Sequence, residues 1–263
     1  MCALPLEKEI EYPTSDGQPM AETTLHRQVM SSLIGGLERR YAEAEDVWVG
    51  GNLLLYYEEG RADRSVSPDV MLARGVAGKH GRDTWLVWVE GVPPTLVFEI
   101  TSRSTSKEDT GRKKDLYQRL GVAELVLFDP YGEYLTPRLQ GYRLDHRGRY
   151  RPIPLHSDGS LDLETTGLTA VPEGQRLRLV DPATGEKLLW EEELEAARRD
   201  ADAARRVAET ERRVAETARR EAEAARREAE ERWAQEVSAR EAAEARERAL
   251  AAELARLRSG TST

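Results

Sequence analysis

The chain has 263 residues, of which 39% are hydrophobic and 33% charged, with a net charge of -9. That length supports one substantial core, but the charge is too high for all of it to be globular. No run approaches the roughly 18 apolar residues of a membrane span, the Met-Cys-Ala-Leu-Pro start lacks a signal-peptide pattern, and bulk charge argues against non-specific nucleic-acid binding while leaving room for a local basic patch.

A soluble cytoplasmic protein is therefore expected. Its single cysteine, Cys2, excludes a disulfide framework and a cysteine metal site, so chemistry falls to carboxylates, lysine, histidine or hydroxyls. Residues 1–19 read as an N-terminal extension and 20–190 as the folded domain. Residues 191–258 read as a helix and 259–263 as a disordered tail.

The first element is an amphipathic helix over residues 20–44, spaced by Leu25, Val29, Leu33 and Leu37, with Glu22 and His26 near its start. Strand-like runs follow: "NLLLYYE" from Asn52, "PDVMLA" from Pro68, "WLVWV" from Trp85 and "TLVFEI" from Thr95. A helix over 110–120 ends at Gly121, and a strand over 124–129 stops at Pro130. This order implies an α/β fold, a mixed sheet flanked by helices. "YLTPRLQGYRL" and "LRLVDPATGEKLLW" read as hairpins, the second turning at Asp181 to Gly185.

Beyond Trp190 the composition changes abruptly. Residues 191–258 lack Gly and Pro and are rich in Ala, Glu and Arg, with a seven-residue repeat: RRVAETE, RRVAETA, RREAEAA, RREAEER. Ala204, Ala208, Ala215, Ala218, Ala222, Ala225 and Ala229 form a weak seam interrupted by Glu211, and Leu250, Leu254 and Leu257 a firmer one. Two readings stand: a coiled coil for homo-oligomerisation or tethering, or a lone charged helix held by Glu and Arg four apart.

Candidate chemistry centres on Glu99. Alternation places Leu96, Phe98 and Ile100 on one face of their strand and Val97, Glu99 and Thr101 on the other, away from the greasiest face. The hydroxyl-rich "TSRSTS" that follows puts Glu99 near the carboxyl end of the strand, where open sheets hold ligands. A buried lone carboxylate requires a partner. Lys113 supplies one, because Lys113, Leu116, Tyr117 and Leu120 form the stripe facing the sheet, whereas Lys114 points about 100° away. Asp69, alternating with Val70 on a separate strand, is the second candidate. Two carboxylates and an inward lysine suit a hard cation, Mg²⁺ or Mn²⁺, acting on a phosphodiester.

The stretches "SPDVMLA", "PTLVFEITSRSTSKEDTGRKKDLYQRLGVAELVLFDP" and "LQGYRL" resemble the Uma-two family of bacterial endonucleases, within the PD-(D/E)XK restriction-nuclease-like superfamily. The resemblance spans residues 20–190 and not the tail. It implies a restriction-endonuclease-like core in which Asp69 matches the Asp of the Pro-Asp motif and Glu99 the second acidic position. The superfamily's lysine two residues after the glutamate is absent, since Thr101 stands there, and Lys113 matches a lysine moved to the next helix. Glu22 resembles an accessory acidic metal ligand. The function implied is Mg²⁺-dependent hydrolysis of DNA by Asp69, Glu99 and Lys113.

Each assignment has a structural rival. Glu99 and Lys113 could form an ion pair only, Asp69 could satisfy a turn, and His26 reads as a helix-face residue rather than a ligand. Arg103, Lys107, Arg112, Lys113, Lys114 and Arg119 form a basic cluster, which Glu108, Asp109 and Asp115 dilute toward an ordinary solvated surface. The alternative function is an inactive nuclease-like binding module with the long helix as a protein-protein scaffold.

Overall fold

The computed structural model describes residues 11–15 and 23–259, with side chains through residue 255. Cys2, Glu22 and the side chain of Leu257 lie outside that set. The chain divides into two compact units, one ending at Leu194 and one beginning at Glu195. Among the described residues no helix is long and apolar enough to cross a membrane.

In chain order the elements begin with α1 (Thr24–Arg40), β1 (Val47–Gly50), β2 (Leu54–Tyr56), β3 (Ser65–Val66), β4 (Val70–Arg74), β5 (Thr84–Leu86) and α2 (Val87–Glu90). Next come β6 (Leu96–Ile100), α3 (Ser106–Glu108), a π-helical turn (Asp109–Lys113), α4 (Lys114–Leu120) and β7 (Glu124–Phe128). The remaining elements are β8 (Leu139–Leu144), β9 (Tyr150–Pro152), β10 (Leu161–Leu163), β11 (Leu168–Glu173), β12 (Arg176–Val180) and α5 (Glu191–Ser259).

A six-stranded sheet in the order β1-β4-β6-β7-β8-β9 forms the centre. Only β6 and β7 are parallel neighbours within it, and a parallel pair needs a crossover. The helical segment from Ser106 to Leu120 is that crossover. Its Leu116 and Tyr117 pack with Val97, Leu125, Leu127, Met71 and Ala73 on one face of the sheet. The small sheet β3-β2-β5 adds Leu55, Val66 and Trp85 to the same cluster. On the opposite face α1 contributes Val29, Met30, Leu33 and Leu37, and β10-β11-β12 contributes Leu161, Leu168 and Leu179.

Both faces of the central strands are thus covered, and β6 and β7 are buried at all five positions. Strands buried on both sides read as continuous apolar runs, which is why β6 is apolar on both faces apart from Glu99. The face carrying Glu99 is as deeply buried as the other, contrary to the expectation that it turns toward a more polar side.

Element boundaries differ from the sequence reading: α1 ends at Arg40 rather than 44, β2 holds only Leu54–Tyr56 of its run, and three further elements depart more. "WLVWV" is strand only to Leu86; Val87–Glu90 turns helical and closes at Gly91, which takes a left-handed conformation. The helix expected from Thr110 begins at Ser106 and passes through the π turn. In "YLTPRLQGYRL" only the segment from Leu139 onward is strand, paired antiparallel with both β7 and β9.

The first turn of α5 belongs to the first unit. Arg178, only 2% exposed, donates to Glu193 at 2.6 and 2.8 Å and to the Leu188 carbonyl at 3.0 Å, with its guanidinium 3.4 Å from the Trp190 ring centroid. Arg176 pairs with Glu192 at 2.7 Å. Farther along, Arg219–Glu223, Arg220–Glu216 and Arg226–Glu230 pair four apart at 2.7 to 2.9 Å. Val207, Val214, Trp233, Leu250 and Leu254 are exposed on α5.

Candidate active site

The site is assembled where β4 begins and β6 ends. The antiparallel register pairs Val70 with Phe98, so one step further brings Asp69 opposite Glu99. Backbone N–H groups alternate in direction along a strand. That of Thr101 continues the ladder to the Phe128 carbonyl at 2.8 Å, while that of Ile100 points to the β4 side, where pairing has stopped. Asp69 Oδ2 accepts it at 2.6 Å. The carboxylate is therefore fixed by the strand that carries Glu99, rather than by a local turn.

The link between β1 and β2 presses on the same point. The Asn52 N–H donates to the Pro68 carbonyl at 2.8 Å, and a Cβ at Gly51 would lie 2.0 Å from the Asp69 carbonyl oxygen. Only glycine permits so close a backbone approach.

The crossover helix brings its side chains from above the sheet. Lys113 Nζ donates to Glu99 Oε2 at 2.8 Å and to the Ser67 carbonyl at 3.3 Å. One helical turn later, the Tyr117 hydroxyl donates to Glu99 Oε1 at 2.5 Å. Asp109, one turn earlier, has Oδ1 3.5 Å from Lys113 Nζ. The π turn contains both Asp109 and Lys113, and such turns recur at functional sites. Across the site, His26 Nε2 on α1 stands 3.4 Å from Asp69 Oδ1.

The structure thus brings Asp69, Glu99 and Lys113 together, and Glu22 lies outside the described residues. It adds three groups. Tyr117 appears in the sequence only as a stripe residue, although its i,i+4 spacing from Lys113 was a usable signal. The sequence presents His26 as a helix-face residue. Asp109 reads in the sequence as part of a solvated surface but is 1% exposed, on a helical segment that starts four residues earlier than expected.

Charge balance dominates the site. Burial drives the Glu99 carboxyl well above its ordinary range; Lys113 pulls it back, while Asp69 and Asp109 push it higher. Burial also raises Asp109. Burial alone would depress Lys113, but Glu99, Asp69 and Asp109 outweigh it and hold the ammonium charged. The Tyr117 phenol is raised by burial and by Glu99, so it keeps the proton it donates.

Three carboxylates facing one lysine leave two negative charges over when all are ionised, a costly state in a buried site. One divalent cation would balance it. Asp69 and Glu99 are hard oxygen donors on adjacent strands, and Mg²⁺ characteristically takes one or two protein carboxylates and keeps its remaining waters. Among the described residues no three His, Cys, Asp or Glu side chains form a group that could hold a metal ion. Of the residues present, the two hard carboxylates Asp69 and Glu99 are the donors whose chemistry fits such an ion.

The basic cluster is divided. Arg103, Lys107, Arg112 and Arg119 are exposed, Lys113 is turned into the site, and Lys114 lies 3.8 Å from the Tyr142 ring centroid. Helical periodicity separated the two neighbouring lysines correctly.

The chain belongs to the Uma2 family, described as "Putative restriction endonuclease", whose family model matches residues 1–175. Among solved structures, it is similar to "a putative nuclease belonging to DUF820" from Anabaena variabilis. The two are 15% identical, the match covers 58% of this chain and 81% of that one, and the TM-score is 0.42. No curated protein matches the chain.

Proposed function

We propose that the protein is a metal-dependent endonuclease that hydrolyses DNA phosphodiester bonds at Asp69, Glu99 and Lys113. The observation that carries this reading is the buried meeting of Glu99 and Asp109 at the ammonium of Lys113 at the end of β6, with Asp69 on the neighbouring strand near enough for its charge to act on the same lysine. Membership of the Uma2 family supports it.

Asp69 and Glu99 would hold Mg²⁺ or Mn²⁺. Such an ion, when bound, supplies Lewis-acid polarisation of a phosphoryl oxygen and an acidified water. The protein's own contribution is placement. The Ile100 N–H fixes Asp69, and Tyr117 fixes Glu99 from the side opposite Lys113. Lys113 is a charged donor, suited to neutralising a phosphate oxygen rather than to removing a proton.

Thr101 leaves the superfamily's lysine position without a cation, and its buried Oγ1 has no hydrogen-bond partner among the described residues. Lys113 reaches the same carboxylate from the helix, which supports a relocated lysine over a lost one. The exposed Arg103, Lys107, Arg112 and Arg119 offer contacts to the DNA backbone. The heptad of α5 and its exposed Val207, Val214, Trp233, Leu250 and Leu254 support pairing with a second copy as a coiled coil.

Supercoiled plasmid incubated with the full chain in Mn²⁺ tests the reading. Nicked and linear products are expected from the wild type and none from Asp69→Asn. An inactive wild type that also binds no Mn²⁺ would overturn it and favour a nuclease-like binding module.

A further inference from the structure

Asp109 is the buried charge to which the proposed reaction gives no role. Its side chain is almost completely enclosed, yet neither carboxylate oxygen has a hydrogen bond of ordinary geometry among the described residues; the Thr105 hydroxyl and the Lys113 ammonium, 3.5 Å from Oδ1, are its polar neighbours. So loose a match for a buried carboxylate is costly, and native proteins rarely tolerate it without use.

The neighbouring contacts suggest the use. Glu99 is already claimed at both oxygens, by Tyr117 at 2.5 Å and by Lys113 at 2.8 Å. An ammonium in that position competes with a divalent cation, since each satisfies the same carboxylate charge. For Glu99 to serve a cation fully, Lys113 has to loosen its hold. Its side chain is only 11% exposed, so bulk water is a poor substitute for Glu99. A second protein acceptor within a small torsional movement serves better.

Asp109 Oδ1 is such an acceptor, 3.5 Å from Nζ and one turn away on the same helical segment. The Ser67 carbonyl, 3.3 Å from Nζ, is a third contact of the ammonium. We propose that Asp109 is a positioning residue that receives Lys113 as Glu99 engages the cation, so that cation binding and lysine placement are coupled. This rests on the metal-dependent reading of the site.

A cycle of variants in the full chain, titrated with Mn²⁺ by calorimetry, tests the coupling without reference to cleavage. Asp109→Leu, which removes the acceptor at similar size, should weaken Mn²⁺ binding about ten-fold, because Lys113 then stays on Glu99. In a Lys113→Met background the same change should alter affinity by less than about two-fold, since no lysine remains to be received. Asp109→Asn, retaining a weaker neutral acceptor, should fall between wild type and Asp109→Leu, and it replaces the leucine variant if that chain fails to melt cooperatively.

Wild-type affinity in both Asp109 variants would overturn the inference. An equal loss with and without Lys113 would also overturn it, by making Asp109 a direct or purely electrostatic contributor. If the folded wild type binds no Mn²⁺ at all, the metal reading itself fails; if it binds and the cycle shows no coupling, only the hand-over fails.

Discussion

Lys113 Nζ meets Glu99 Oε2 at 2.8 Å in a place where the glutamate is fully buried. The pair is unequal, because the lysine also faces Asp109 and Asp69 while the glutamate has no second lysine. Removing one member should therefore differ sharply from removing the other. Lys113→Met leaves buried carboxylates uncompensated and should cost roughly 3–5 kcal/mol at neutral pH. Glu99→Gln leaves Lys113 with two carboxylates and should cost clearly less.

The deficit of Lys113→Met should also depend on pH. Burial raises both Glu99 and Asp109 above their unfolded values, so folding favours their protonated forms. Their stabilising contribution is complete below the unfolded pKa and is lost as pH rises through the folded one. Denaturant unfolding should show the deficit shrinking as pH falls from about 7.5 toward about 5. A deficit independent of pH would contradict the charge balance described for the site.

Gly51 supports the site through backbone contact alone. Gly51→Ala would place a methyl 2.0 Å from the Asp69 carbonyl oxygen, and main chain on both sides leaves nothing soft to yield. We expect a loss of about 1–3 kcal/mol and displacement of Asp69 from the Ile100 N–H, with plasmid cleavage falling further than the fraction folded. Gly81, whose added Cβ would meet nothing within 4 Å, is the control: Gly81→Ala should leave melting and cleavage unchanged.

The start of α5 sets where the chain can be cut. Ending it after Leu194 keeps Glu192 and Glu193 on Arg176 and Arg178, whereas ending it before Glu191 removes the bidentate partner of a buried arginine. The shorter form should be less stable by about 1–3 kcal/mol than the form ending at Leu194. In sedimentation at micromolar concentration the full chain should be oligomeric and the form ending at Leu194 monomeric. A monomeric full chain would leave α5 as a lone helix held by its four-apart ion pairs.

Much of the site was legible because two periodicities met at it. Strand alternation set Glu99 with Val97 on one face, and helix spacing chose Lys113 over Lys114; the structure buries Lys113 at Glu99 and lays Lys114 over Tyr142. Asp109 was missed because Gly111 and the surrounding charges disguised the first turns of the helix, and a π turn disturbs the spacing that reveals a buried face. The partial strand at Trp85 shows the same weakness, since a short apolar run does not distinguish strand from helix. β1, β3, β9 and β10 are too short to carry a clear alternation, whereas the six-residue β11 is not marked in the sequence reading although its length would have allowed it. The role of Gly51 was not legible at all, for it arises only when a distant strand brings Asp69 against it.

The most direct test of the metal-dependent nuclease is the rate of supercoiled plasmid nicking by the full chain in Mg²⁺ or Mn²⁺, measured beside Glu99→Gln with both proteins shown to be folded by melting. Cleavage by the wild type that stops in a chelator and is at least about 100-fold slower in Glu99→Gln is the predicted result. Cleavage at the wild-type rate by Glu99→Gln would contradict it.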